Sequence, residues 1–366
     1  MDTKIQVLNP DDFAPEELDE ACEVLRRGGL VAFPTETVYG LGGDALRQDV
    51  SAGIYEAKGR PSDNPLIVHI AKIEDIEKIA RDVPAAAFRL AEAFWPGPLT
   101  MILRKKDRVP SGTTGGLDTV AIRLPAHPVA RVLIERSGLC VAAPSANASG
   151  RPSPTLAAHV IEDLDGRIDY ILDGGKVGIG LESTIVDLTE EEALILRPGA
   201  ITAAMLRNII GKAEYDPAVL AKQQKQDVVA KAPGMKYRHY APKGDMTLVE
   251  GQTDNVARYI CRLLEAKREK GSRMADFAVL AYEETKERYE GTGAYVCSFG
   301  SRENEAAVAA ALYDILRQMD NLGVRYIYAE SFASDGLGQA IMNRMRKAAA
   351  YQVVDADTVQ EECHRV

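Results

Sequence analysis

Leu30-Val-Ala-Phe33, running into Pro34-Thr-Glu-Thr-Val-Tyr-Gly-Leu-Gly-Gly43, decides how the first half of the chain reads. The four apolar residues form a short buried strand, and the proline, threonines and glycines behind them form a turn-rich segment leaving it. Upstream, Asp11 or Asp12 caps a predicted helix in which Leu18, Ala21, Cys22 and Leu25 recur three and four residues apart, and Gly28-Gly29 ends it. A helix that hands the chain to a buried strand is the opening of an α/β domain.

The same vocabulary continues downstream. Leu66–Ile70, Leu99–Leu103, Val120–Leu124, Cys140–Ala143, Tyr170–Leu172 and Thr184–Asp187 read as strands, and 74–81 and 84–94 read as helices. Strands and helices do not alternate strictly, so a twisted mixed sheet is expected. At 366 residues the chain has room for two domains at roughly 150 residues each. Helical periodicity fades near Gly211, and 211–244 has linker composition with an aromatic, basic tail at 233–242. Beyond it, strands near 247–249, 277–280 and 326–329 alternate with helices near 254–270, 303–321 and 337–350, the pattern of a small parallel α/β domain. The expected domains are therefore 1–210, a linker 211–244, and 245–366.

Composition narrows the function. Hydrophobic residues at 46% and charged residues at 27% exclude wholesale disorder, and a net charge of −10 disfavours nucleic-acid binding by bulk charge. The five cysteines, Cys22, Cys140, Cys261, Cys297 and Cys363, are far apart and show no metal-ligand spacing, so neither a disulfide scaffold nor a metal site is expected. No apolar signal core opens the chain and no run of about 18 apolar residues occurs, so the chain reads as cytoplasmic and membrane-free.

Three segments are candidates for chemistry. In Lys58-Gly-Arg-Pro-Ser-Asp-Asn64 two cations one residue apart are held by Gly59 and Pro61; such a pair suits a polyphosphate or is a solvated basic turn. In Ala143-Pro-Ser-Ala-Asn-Ala-Ser-Gly-Arg-Pro-Ser-Pro154, Ser145, Asn147, Ser149 and Ser153 crowd the exit of a strand, offering hydroxyls and an amide to phosphate oxygens or building an ordinary polar turn. Gly174-Gly-Lys-Val-Gly-Ile-Gly-Leu-Glu-Ser-Thr184 is glycine-rich but matches neither a P-loop nor a dinucleotide fingerprint, and it precedes a strand; Ser183 and Thr184 are its better ligand candidates. His69 sits on an apolar strand. Arg123 sits in another and needs an anionic partner, from the protein or from a ligand. Arg197, His239 and Tyr240 admit a functional or a plain structural reading. Without a nucleophile–base constellation, chemistry by positioning and charge neutralisation fits best.

In order along the chain, Pro34–Gly42, Lys58-Gly-Arg-Pro61 with Asn64-Pro-Leu66, Trp95-Pro-Gly-Pro-Leu-Thr100, Ala121–Pro125, Ala143–Gly150 and Leu196-Arg-Pro-Gly199 resemble the YrdC-like domain. The tail Pro233-Gly-Met-Lys-Tyr-Arg-His-Tyr-Ala-Pro242 and the second α/β domain resemble the two-domain L-threonylcarbamoyladenylate synthases. The resemblance implies a YrdC-like mixed-sheet domain, a smaller Rossmann-like parallel domain, and a nucleotidyltransferase. Its substrates would be L-threonine, bicarbonate and ATP with Mg²⁺, its products the adenylate and pyrophosphate, and its user a downstream tRNA threonylcarbamoyl transferase complex. Stable tRNA binding is not implied.

Carried onto matching positions, Lys58 and Arg60 are the catalytic cations, and Asn64, Thr119, Ser145, Asn147, Ser153 and Arg197 complete the ATP site with Tyr237 or Tyr240 from the tail. Thr35, His69, Arg123, Ala143 and Ser183 surround threonine. The alternative expectation is a double-stranded RNA-binding module whose basic side chains line a concave surface.

Overall fold

The computed structural model describes residues 2–220, 231–233 and 239–358, which fall into two units. Unit one holds strands β1 (Lys4–Val7), β2 (Val31–Phe33), β3 (Gly40–Asp44), β4 (Ile67–His69), β5 (Leu99–Arg104), β6 (Thr119–Arg123), β7 (Val141–Ala142), β8 (Tyr170–Asp173), β9 (Thr184–Asp187), β10 (Ala193–Arg197) and β11 (Ala213–Tyr215). They join as one mixed sheet in the order β1-β8-β2-β3-β7-β4-β6-β5-β9-β10-β11.

Side-chain alternation explains how this sheet divides its two faces. Val68, Met101, Leu103, Val120, Ile122 and Val186 point to one face and pack with Ile54, Leu90, Val160 and Leu206 of the helices Gln48–Lys58, Ala85–Phe94, Ala157–Leu164 and Ala203–Ile210. On the other face, helices Asp19–Arg26 and Pro128–Ser137 cover β2, β7 and β8, with Leu18, Leu25 and Leu133 against Val31, Phe33 and Leu172. Ile67, Ala121, Ile102, Ile185 and Leu196 share that second face further along, where they pack with Ala232.

Several expectations need correction. The segment behind Phe33 is not only a turn: Gly40–Asp44 is a strand, paired antiparallel with β2 in a hairpin. Its glycines are there for space. A Cβ on Gly43 would collide with Val50 of the helix Gln48–Lys58, and one on Gly42 would lie 2.6 Å from the Phe33 ring. The first helix begins at Asp19, after a 3-10 turn at Pro15–Leu18, because Glu17 reaches back to the amide of Ala14 (2.7 Å) and starts the turn there. The span 74–81 is broken into a 3-10 turn and a short helix, Ile76–Ile79. The stretch from 211 starts as a strand, β11, parallel to β10, before a single helical turn at Pro217–Leu220. Three residues are too few for a periodicity to register.

In unit two, β12 (Asp245–Glu250), β13 (Phe277–Ala281), β14 (Tyr295–Ser298), β15 (Tyr326–Glu330) and β16 (Val353–Asp355) make a parallel sheet in the order β14-β13-β15-β12-β16. Its connecting helices are Thr253–Glu269, Glu305–Leu322 and Gly338–Ala348. This is the expected small parallel domain, with β14 and β16 added at its edges. Gly150–Pro152 group with this unit. No helix among the described residues is long and apolar enough to cross a membrane.

Candidate active site

Arg123 ends β6 on the same face as Ala121 and Thr119, beside His69 on β4 and Thr100 on β5. Its side chain is buried and donates from Nε to the Gly97 carbonyl (3.3 Å), from Nη1 to Thr37 Oγ1 (3.0 Å) and from Nη2 to Glu36 Oε1 (2.6 Å). The anionic partner that the strand position demanded is thus a protein carboxylate, Glu36, inside the quoted Pro-Thr-Glu-Thr turn. Burial alone would raise the Glu36 carboxyl, but the Arg123 charge and hydrogen bond, with the Ala126 amide (3.0 Å), outweigh it and hold it below the ordinary value. A guanidinium has five N–H donors, so one remains on each terminal nitrogen for a ligand carboxylate.

Thr35 braces its own turn. Its hydroxyl donates to the Val38 carbonyl (2.6 Å), accepts from the Val38 amide (3.3 Å) and lies 2.8 Å from the Thr37 hydroxyl. His69 is buried, edge-on to Phe33, with Nδ1 donating to the Ile67 carbonyl at 3.3 Å. Burial, and then the neighbouring Arg123 charge, push its pKa down to about 3, so the ring is neutral at working pH. Two consequences follow. No limb near pH 6.5 in the rate profile belongs to His69. And because the unfolded chain binds this proton between about pH 6.5 and 3 while the folded chain does not, stability falls as pH drops through that window, with a slope of up to about 1.4 kcal/mol per unit. Chemical denaturation at stepped pH, comparing the native chain with His69→Gln, checks this: the variant loses that share of the slope.

The other half of the site is linked through Ser183. Its hydroxyl lies 2.8 Å from Thr100 Oγ1 and accepts from Arg197 Nη2 (3.1 Å), while its carbonyl accepts from Arg197 Nε (2.9 Å). Thr100 stands opposite Arg123 in the β5–β6 register, so a polar chain runs Arg197–Ser183–Thr100 up to Arg123–Thr37–Thr35. Gly199 makes the Arg197 turn possible: a Cβ there would meet Thr184 N at 2.5 Å and Thr184 Oγ1 at 2.8 Å. Thr184 itself is structural, its hydroxyl donating to the Ile201 carbonyl (2.7 Å).

Lys58 closes the helix Gln48–Lys58, which Gly59 terminates in the left-handed region (φ 62°). The buried ammonium donates to the Ser145 carbonyl at 2.5 Å and to the Asn147 carbonyl, bringing the first and second candidate segments together. Ser145 Oγ donates to Asn147 Oδ1 (2.5 Å), and Asp163 of the helix Ala157–Leu164 accepts from the Ala148 amide (3.0 Å). The Ala143 amide donates to the Ile67 carbonyl (2.8 Å), which ties the same loop to β4 two residues before His69. Arg60 donates to the carbonyls of Asn64 (3.2 Å) and Pro65 (3.0 Å). Tyr55, its hydroxyl pushed up to about 12 by burial, donates to the Asn64 carbonyl (3.1 Å). Asn64 Oδ1 is buried with no partner among the described residues, a cost of roughly 1–3 kcal/mol that a ligand donor would relieve. Ser153 Oγ donates to Glu182 Oε1 (2.5 Å).

The glycine-rich segment is a wall and not a phosphate cradle: the amides of Ile179 and Gly180 are already spent on the carbonyls of Glu36 (2.9 Å) and Thr37 (3.0 Å). Thr119 opens β6 at the end opposite Arg123, four residues or about 13 Å away. Tyr237 lies outside the described residues. Tyr240 belongs to unit two, where its buried ring stacks on Tyr313 at 5.3 Å. Glu36, Thr37, Thr100 and Glu182 are site residues to which the sequence reading gave no role. Each stands next to a residue it did single out.

Residues 23–199 match the family model described as Telomere recombination, and residues 201–350 match the model of the threonylcarbamoyl-AMP synthase C-terminal domain. Threonylcarbamoyl-AMP synthase from Pyrococcus abyssi is 47% identical over 334 residues, 91% of this chain and 94% of that one. The chain belongs to the threonylcarbamoyl-AMP synthase family. The Bacillus subtilis threonylcarbamoyl-AMP synthase is likewise 47% identical, over 92% of this chain and 94% of its own. A crystal structure of P. abyssi Sua5 complexed with L-threonine aligns with a TM-score of 0.89 and 45% identity, covering 96% of this chain and 99% of that one. The expected two-domain α/β architecture and enzyme class stand. The alternative of an RNA-binding module without enzymatic activity falls with that enzyme class, and Lys58, Arg123 and Arg197, each at most 4% exposed, do not lie on an open surface.

Proposed function

We propose that unit one joins L-threonine, bicarbonate and ATP into threonylcarbamoyl-adenylate with release of pyrophosphate, supplying a downstream transferase complex that modifies tRNA. The observations that support this reading are the polar chain from Arg197 through Ser183 and Thr100 to Arg123, drawn from distant stretches of the chain, and the buried Lys58 ammonium seated on the Ser145 and Asn147 carbonyls.

The threonine ammonium gives up a proton to solvent, and the resulting amine takes up bicarbonate as a carbamate with loss of water. A carbamate oxygen then attacks the α-phosphorus of ATP, and the bond to the pyrophosphate oxygen breaks. Anion meets anion and a third anion leaves, so fixed cations matter more than a base. We assign Lys58, Arg60, Asn64, Thr119, Ser145, Asn147, Ser153 and Arg197 to ATP, and Thr35, His69, Arg123, Ala143 and Ser183 to threonine. Arg123 takes the threonine carboxylate through its two remaining N–H groups. The tail is assigned to the nucleotide through Tyr237 or Tyr240. No group of three His, Cys, Asp or Glu side chains able to hold a metal occurs among the described residues. Mg²⁺ is proposed to arrive with the ATP phosphates, where it would offset their charge.

Pyrophosphate release with each substrate omitted in turn tests the reading. Full turnover is expected only with threonine, bicarbonate and ATP together. Release that ignores threonine would mean a different adenylyl or carbamoyl acceptor.

A further inference from the structure

We propose that Glu36 is a positioning residue for threonine, acting through Arg123; this rests on the assignment of Arg123 to the threonine carboxylate. Glu36 ties three stretches of chain to its own turn. Its Oε1 accepts from Arg123 Nη2 on β6, its Oε2 accepts from the Ala126 amide just beyond that strand, and its main-chain carbonyl accepts from Ile179 in the glycine-rich wall. The next residue, Thr37, repeats the pattern, with its hydroxyl on Arg123 Nη1 and its carbonyl on the Gly180 amide. With Nε on the Gly97 carbonyl, each of the three guanidinium nitrogens is therefore held before any ligand arrives.

This arrangement has two effects. It balances the charge of a buried arginine in the absence of substrate, so the cation keeps its place. It also presets the direction of the two remaining N–H groups, so threonine does not have to order a flexible side chain on binding. Threonine then shares Arg123 with Glu36 and does not displace it. The carboxylate of Glu36 stays ionised throughout, held down by Arg123 and the Ala126 amide, and does not act as the proton acceptor.

The test uses the full chain with Glu36→Ala, Glu36→Gln, Arg123→Ala and the Glu36→Ala/Arg123→Ala double variant, each checked by thermal melting. Initial rates of pyrophosphate release give KM for threonine at saturating ATP and KM for ATP at saturating threonine. Glu36→Ala should raise the threonine KM about tenfold or more, as expected when a hydrogen bond to a charged group is lost, with the ATP KM within about twofold. The double variant should be no worse than Arg123→Ala, because the two residues act as one unit. Glu36→Gln, which keeps an acceptor for Arg123, should fall between native and Glu36→Ala, and it carries the comparison if Glu36→Ala does not fold. If Arg123→Ala raises the threonine KM but the Glu36 variants do not, or if the two effects simply add, the inference is overturned. Parallel rises in both KM values for the Glu36 variants overturn it too. If Arg123→Ala itself leaves the threonine KM unchanged, the underlying threonine assignment fails instead.

Discussion

Lys58→Ala lowers pyrophosphate release by about 10²-fold or more at saturating substrates, and Arg60→Ala does the same. For Lys58 the loss has two sources. The variant removes a cation from the proposed ATP site, and it releases the Ser145 and Asn147 carbonyls that the ammonium holds. Lys58→Arg does not rescue it, because a planar fork cannot converge on those two carbonyls as a compact ammonium does. Single-turnover rates, read beside far-UV circular dichroism to confirm folding, check this. A folded Lys58→Ala enzyme within a few-fold of native turnover would remove Lys58 from the chemistry.

Arg197→Ala is expected to be as damaging, and for a different reason. Arg197 grips both the carbonyl and the hydroxyl of Ser183, and Ser183 in turn contacts Thr100 opposite Arg123. One truncation therefore loosens both ends of the polar chain, so kcat/KM should fall about 10²-fold for ATP and for threonine alike. Arg197→Lys recovers little, since a point-like ammonium cannot reproduce the side-by-side pair of hydrogen bonds that the planar fork makes to Ser183. Steady-state kinetics in each substrate decide the matter: a fall confined to one substrate would show that Ser183 keeps its place without Arg197.

Much of the fold was legible because its central strands are short apolar runs bounded by prolines and glycines. Leu99–Arg104 and Thr184–Asp187 announce themselves that way. The edge strands do not. Lys4–Val7 is largely exposed and Ala213–Tyr215 is three residues long, so neither has an apolar period to read. Gly40–Asp44 was hidden for the opposite reason, since a strand packed against helix side chains on one side and a phenyl ring on the other needs glycines, which read as a turn.

The candidate site shows the same split. Lys58, Ser145, Asn147, Arg123 and Arg197 stood out as cations, a hydroxyl and an amide in apolar or turn-bound settings. Glu36 and Glu182 did not, because a lone glutamate in a loop is ordinarily a solvated charge. What distinguishes them is burial against an arginine and a serine 87 and 29 residues away, and no local pattern encodes that.

Gly43 is assigned no ligand contact, yet Val50 and Ile54 of the helix Gln48–Lys58 rest directly on it. That helix is a rod of eleven residues, about 16 Å long, with the ammonium of Lys58 at its far tip. Whatever lifts the near end swings the tip. A single methyl at residue 43 would therefore be felt as a displaced ammonium at Lys58, so the proposed ATP site constrains a glycine to which no ligand contact is assigned.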